Sequence, residues 1–197
     1  MSPKLSEEFV LMSRSTQLLE YFTSCQTQSV SLLQRLVGLE SNSFDKLGID
    51  ALAGFLHSYL LEYGADACII KEESRGNHLC ARSSYDGSRK PILLLGHLDT
   101  VWPRGTVNDR PFAVCGDKAY GPGIFDMKAG VLLFLLVFKA LKERKFNPGR
   151  DVILLLTSDE EIGSECGLRH LRSLAGPCAA VLCAEPRDAP GAFARLP

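Results

Sequence analysis

Histidine is scarce in this sequence, four residues in 197, and there is one tryptophan. A basic excess is missing too: 22 Lys and Arg against 23 Asp and Glu leave a formal net charge of -1. That balance excludes broad electrostatic attraction to nucleic acid or to anionic lipid. Val131 to Phe138 is apolar throughout, but Lys128 and Lys139 bracket it well short of the ~20 residues that a bilayer requires. Glu7 and Glu8 stand where a secretory signal would place a basic and then an apolar segment, so the expectation is a cytoplasmic protein. The seven cysteines are odd in number and scattered, with neither zinc-finger spacing nor a redox motif, and read as small core hydrophobes in a reducing compartment.

Several catalytic signatures are also missing. Gly121, Pro122 and Gly123 lack the third glycine of a dinucleotide fingerprint, and no Gly-Lys-Ser/Thr follows them to cradle a phosphate. Gly163 to Gly167 reads GSECG, with glutamate where a nucleophile elbow needs serine. Nothing marks Cys166 as an activated thiol.

What is present is a pattern repeated at three apolar runs. DVILLLTSDEEIG, from Asp151, ends in Asp159, Glu160 and Glu161; PILLLGHLDT, from Pro91, ends in His97 and Asp99; AAVLCAEP, from Ala179, ends in Glu185. Each run has the length of a buried strand. In open α/β sheets the site lies outside the carboxyl ends of the strands, so ligand-type residues at three such ends point to a metal centre. Like charges gathered there require a cation or solvent between them. His97 and Asp99 are two apart and face the same way in an extended chain, which suits a metal-binding imidazole and the carboxylate that orients it. Spacing leaves open which of Glu160 and Glu161 binds metal. The glycine-rich turn before Asp126 suits delivery of one more carboxylate to a helix start.

The rest of the chain supplies layers. Residues 5–39 have helical apolar spacing, a second helix starts near Asp45, and Met127 to about Lys145 reads as a buried helix. Short strands are expected at Ala67–Lys71 and His78–Ser83, and a short helix from Glu165 to Leu174. With 46% hydrophobic residues the chain can form a substantial core. The expected fold is a three-layer α/β/α domain with a mixed, largely parallel sheet. His57, His78 and His170 fall off the site and read as flank or solvated residues.

GHLDTVWPRGT at His97, GPGIFDMKAG around Asp126, TSDEEIGS around Glu160 and AEP at Glu185 together resemble the co-catalytic zinc metallopeptidases. Within that family the resemblance is to glutamate carboxypeptidase, acetylornithine deacetylase, succinyl-diaminopimelate desuccinylase and aminoacylase, nearest the glutamate carboxypeptidase-like branch. It covers roughly Ser41 to Pro186. The resemblance implies two zinc ions, with cobalt or manganese as alternatives. One would be held by His97, Asp126 and Glu185, and a second by Glu161 and the bridging Asp126. It implies that Asp99 orients His97 and that Glu160 is the general base in hydrolysis of an amide bond in a small peptide or N-acyl amino acid. It also implies a cis peptide between Asp126 and Met127.

The family pattern continues with a lid or dimerisation domain and a return segment bringing a final histidine ligand. The expectation is that residues 1–197 are the N-terminal part of the catalytic domain, without those segments. The competing expectation is a catalytically impaired metal-binding fragment that acts, if at all, with a partner chain. Oligomeric state stays open, because the dimerisation domain is the missing part.

Overall fold

A computed structural model describes residues 15–85, 87–143 and 147–186. The strands are β1 (Asp66–Ile70), β2 (His78–Ser83), β3 (Ile92–His97), β4 (Ala113–Cys115), β5 (Lys118–Tyr120), β6 (Val152–Thr157) and β7 (Ala180–Cys183). The helices are α1 (Gln26–Gly38), α2 (Lys46–Glu62), the single turn α3 (Thr106–Asp109), α4 (Ala129–Glu143) and α5 (Gly167–Ala175). Residues 15–24, ahead of α1, are also helical. The helix expected over residues 5–14, Asp86 of the expected polar turn, the end of the long helix at 144–145 and the loop residues from 187 lie outside the described residues.

All six residues of β6 are buried, and this strand is the centre of a five-stranded sheet ordered β1-β2-β6-β3-β7. β3 runs parallel to both β6 and β7, with Leu94 opposite Leu154 and Leu182. β2 is antiparallel to β6 and to β1. The sheet is therefore mixed, with parallel and antiparallel pairs in equal number. Side chains alternate across it as a pleated strand requires. Leu79, Leu94, Leu154 and Leu156 enter one core with α1, α2 and α4, while Leu93, Ile153 and Leu155 meet Leu171 and Leu174 of α5 on the other face. The three layers are helices, sheet and helix.

Local chemistry explains the element ends. Asp45 caps α2 by accepting from the Gly48 N–H at 3.1 Å, and Gly64 takes the left-handed conformation just beyond that helix. The carboxylate of Asp151 accepts from Arg82 Nε at 3.0 Å and from the Tyr85 N–H at 2.8 Å, tying the start of β6 to β2.

Some expectations shift. The long helix begins at Ala129, because Asp126 and Met127 leave helical conformation in an irregular turn. The apolar run within it is not buried on every side: Leu133 is 57% exposed. The cysteines are not mainly core, since Cys25 is buried while Cys68, Cys115 and Cys183 are exposed. The segment after Gly105 contains α3 and then the small exposed hairpin β4–β5. Among the described residues no helix is long and apolar enough to cross a membrane.

Candidate metal centre

Parallel pairing of β6, β3 and β7 brings their carboxyl ends to one edge, and the polar residues that follow each apolar run meet there. His97 is the last residue of β3 and is buried. Its Nδ1 lies 2.9 Å from the Asp99 carbonyl oxygen and 3.3 Å from Asp99 Oδ1. Both are acceptors, so Nδ1 carries a proton, and Nε2 is the nitrogen turned toward the carboxylates. Around Nε2 stand Asp126 Oδ1 at 3.0 Å, Glu185 Oε1 at 3.7 Å and Glu160 Oε2 at 3.9 Å.

Asp99 does more than orient the imidazole. Its carboxylate accepts the Ser43 hydroxyl at 2.8 Å, the Glu160 N–H at 3.1 Å and the Glu161 N–H at 3.2 Å. These bonds fix the short 3-10 turn Glu160–Ile162 against β3. Ser43 comes from the loop between α1 and α2, which is stitched to this edge by Thr100 N–H to the Ser41 oxygen at 2.8 Å and by the Ser41 hydroxyl to the Leu98 oxygen at 2.7 Å. The role of the Ser41–Asn42–Ser43 cluster, which in sequence marks only the end of a helix, depends on contacts more than fifty residues away.

Asp126 is delivered by the turn after Gly123, whose φ of 69° is open to glycine at little cost. The Asp126–Met127 peptide is cis. Met127 Sδ accepts the His97 N–H at 3.2 Å, and a Cβ on Gly96 would stand 2.8 Å from Met127 Cε. Gly130, in the first turn of α4, approaches β7 so closely that a Cβ would meet the Ala184 carbonyl oxygen at 2.4 Å. This contact sets the position of the main chain that carries Glu185.

Charge is concentrated here. Burial alone would lower the His97 pKa, but the hydrogen bond and charge of Asp99, with Glu160 and Asp126, raise it to about 9. Burial pushes the Glu160 and Glu161 carboxyls up, and their acidic neighbours push them further. The edge thus stabilises positive charge on the imidazole and disfavours negative charge on the glutamates, as a site shaped for a cation does. Two groups have ligand atoms all within 4.8 Å of one another: His97, Glu160 and Glu185, and His97, Asp126 and Glu161. All five residues expected to bind metal or act as base are brought together. The grouping differs from the division between two ions that the resemblance implies, with His97 in both sets and Glu160 beside Glu185.

The third acidic residue of the turn has another task. Asp159 is buried, and its carboxylate accepts from the Cys166 N–H at 2.6 Å and the Gly167 N–H at 3.1 Å, capping the start of α5.

Glu72, His78 and His170 form one more compact group, with ligand atoms within 4.8 Å. Here the Ser158 N–H donates to His78 Nδ1 at 3.0 Å, so the proton sits on Nε2, the opposite of what a metal ligand at that nitrogen needs. The Arg169 guanidinium already occupies the Glu72 carboxylate, and His170 Nε2 lies 3.4 Å from it. This cluster joins the β1–β2 loop to α5. His170, expected to be solvated, is partly held in it, and His57 Nε2 lies 3.2 Å from the Ala67 carbonyl oxygen.

The profile of Peptidase family M20/M25/M40 matches residues 93–194. Carboxypeptidase G2 of Pseudomonas sp. (strain RS-16) is 35% identical over 153 residues, covering 77% of this chain and 37% of that protein. Succinyl-diaminopimelate desuccinylase of Sulfurovum sp. (strain NBC37-1) is 32% identical over 163 residues, covering 80% of the chain and 41% of that protein. The crystal structure of human carnosine dipeptidase 1 shares the fold, with a TM-score of 0.76 at 16% identity, over 87% of this chain and 41% of that one. The chain spans about two fifths of the length of these relatives.

Proposed function

The chain belongs to peptidase family M20/M25/M40, and on that premise we propose that its metal centre serves hydrolysis of an amide bond in a small peptide or N-acyl amino acid. The observation that carries this reading is the set of carboxylates, Asp126, Glu160 and Glu185, facing the Nε2 of His97 while Asp99 holds its Nδ1. One imidazole nitrogen of fixed tautomer with several carboxylate oxygens is a donor set that fits zinc, and also cobalt or manganese.

In this reading His97, Asp126 and Glu185 hold one ion, and Asp126 and Glu161 hold a second. Zinc bound there supplies Lewis acidity toward the scissile carbonyl and toward water. Glu160 does the proton work. Its backbone is pinned by Asp99, while its carboxylate is part-exposed at the mouth of the site, placed to take a proton from the attacking water and pass it to the departing amine nitrogen. Asp99 keeps the imidazole in the tautomer that leaves Nε2 free and holds the two glutamates in register with it.

The names of the relatives carboxypeptidase G2 and succinyl-diaminopimelate desuccinylase support an amide substrate. Residues 1–197 are read as part of a metallopeptidase catalytic domain, acting in the cytoplasm. A second reading, metal binding without turnover, is favoured by Glu160 standing with His97 and Glu185 in one group of ligand atoms, where it would bind the ion and not serve as a base. Amine release from a panel of dipeptides and N-acyl amino acids, before and after chelation, separates them. Chelator-sensitive release supports hydrolysis, and zinc binding with no release supports the second reading.

A further inference from the structure

Cys68 of β1 and Cys80 of β2 are direct partners in the antiparallel register. Directly opposed residues project to the same face with Cα atoms about 4.5–5.5 Å apart, whichever kind of pair they form. That separation lies inside the ~4.4–6.8 Å over which a disulfide closes without moving the backbone. β1 is the edge strand of the sheet, and Cys68 is exposed on it, while Cys80 is half-buried beside the Leu93, Ile153 and Leu155 core. The twelve-residue separation resembles no redox motif, and only the hairpin register makes the pair.

We propose that Cys68 and Cys80 are a reversible dithiol that closes to a cross-strand disulfide, with a small-molecule disulfide such as oxidised glutathione as the oxidant. The exposed Cys68 thiolate attacks one glutathione sulfur, forming a mixed disulfide and releasing the first glutathione thiolate. Cys80 then loses its proton to solvent and attacks the Cys68 sulfur, releasing the second. Two protein thiols are oxidised and one oxidised glutathione is reduced to two thiols. Burial pushes the Cys80 thiol up to about 11, which disfavours it as the first nucleophile and leaves that step to Cys68. Adjacency supplies the second step.

The clamp would sit at the base of the loop that carries Glu72 and Gly76. Glu72 holds Arg169 and His170 of α5, and the Gly76 carbonyl oxygen accepts the Ser158 hydroxyl at 2.5 Å, two residues before Glu160. Oxidation therefore covalently closes the hairpin that supports the turn of Glu160.

The test treats the protein and its Cys68→Ser and Cys80→Ser variants with oxidised glutathione, quenches in acid and maps peptides without reduction. The wild type is expected to yield a linked peptide joining Cys68 and Cys80, lighter by two hydrogen atoms than the two reduced peptides together, and to melt at higher temperature until dithiothreitol restores the original value. Cys80→Ser is expected to stop at a glutathione adduct on Cys68, and Cys68→Ser to leave Cys80 unmodified. Glutathione persisting on Cys68 of the wild type, or a disulfide joining two chains through these residues, overturns the proposal. If either variant fails to fold by circular dichroism, the wild-type peptide map alone decides.

Discussion

The carboxylate of Asp99 accepts the backbone N–H of Glu160 at 3.1 Å, so the residue that orients His97 also positions the proposed general base. Removing it should disturb two things together. Asp99→Ala is expected to lower zinc affinity about 10–100-fold, the usual cost of losing such a supporting partner. Competition against a chelator of known affinity measures this, and an unchanged affinity would mean that the imidazole is held by the Asp99 carbonyl alone.

Glu160→Gln keeps the shape of the side chain and the N–H bond to Asp99, but cannot take a proton. Zinc content is expected to stay at the wild-type level while turnover falls by about 10²–10⁴-fold. Loss of metal along with activity would instead place Glu160 among the ligands, as its closeness to Glu185 would then imply.

Gly130→Ala places a methyl group 2.4 Å from the Ala184 carbonyl oxygen, a backbone atom that cannot turn aside. Overpacking of this kind costs about 1–3 kcal/mol. Thermal melting should show the loss, and metal affinity should fall with it because Glu185 is the next residue. A variant with wild-type melting temperature would show that α4 and β7 are freer to separate than their contact indicates.

His78 makes stability depend on pH. Burial holds its pKa below the ordinary value, outweighing the nearby Asp159 and Glu72 carboxylates, with His170 and Arg169 lowering it further. The unfolded chain then binds the proton first, so this contribution is complete above the ordinary histidine value of about 6.5 and is lost as pH falls below it. Denaturant titrations between about pH 7 and 5 should show a smaller decline in His78→Asn, which retains an acceptor for the Ser158 N–H but no titrating ring. Equal slopes would remove His78 as the source.

The candidate site residues were legible because each follows an apolar run at a strand end: His97 after Leu95 and Gly96, Glu160 after Leu156, Glu185 after Leu182. Parallel pairing turns that one-dimensional pattern into one edge. Ser43 was not legible, because its bond to Asp99 depends on a loop fifty-six residues away lying beside Thr100. Asp159 could not be told from Glu160 and Glu161 by spacing, since it is the position of α5 that turns its carboxylate toward two helix N–H groups. Leu133 looked like core from its neighbours, but a helix packed on one sheet face leaves a side uncovered. Likewise the pairing of Cys68 with Cys80 follows from hairpin register, which composition does not contain.

The account rests on a metal centre built around His97, and elemental analysis after zinc reconstitution and desalting tests it most directly. The wild type should retain at least one zinc per chain, and Asp126→Asn, folded by circular dichroism, should retain less. Zinc content in the wild type no higher than in a His97→Ala, Asp126→Asn double variant would contradict the assignment.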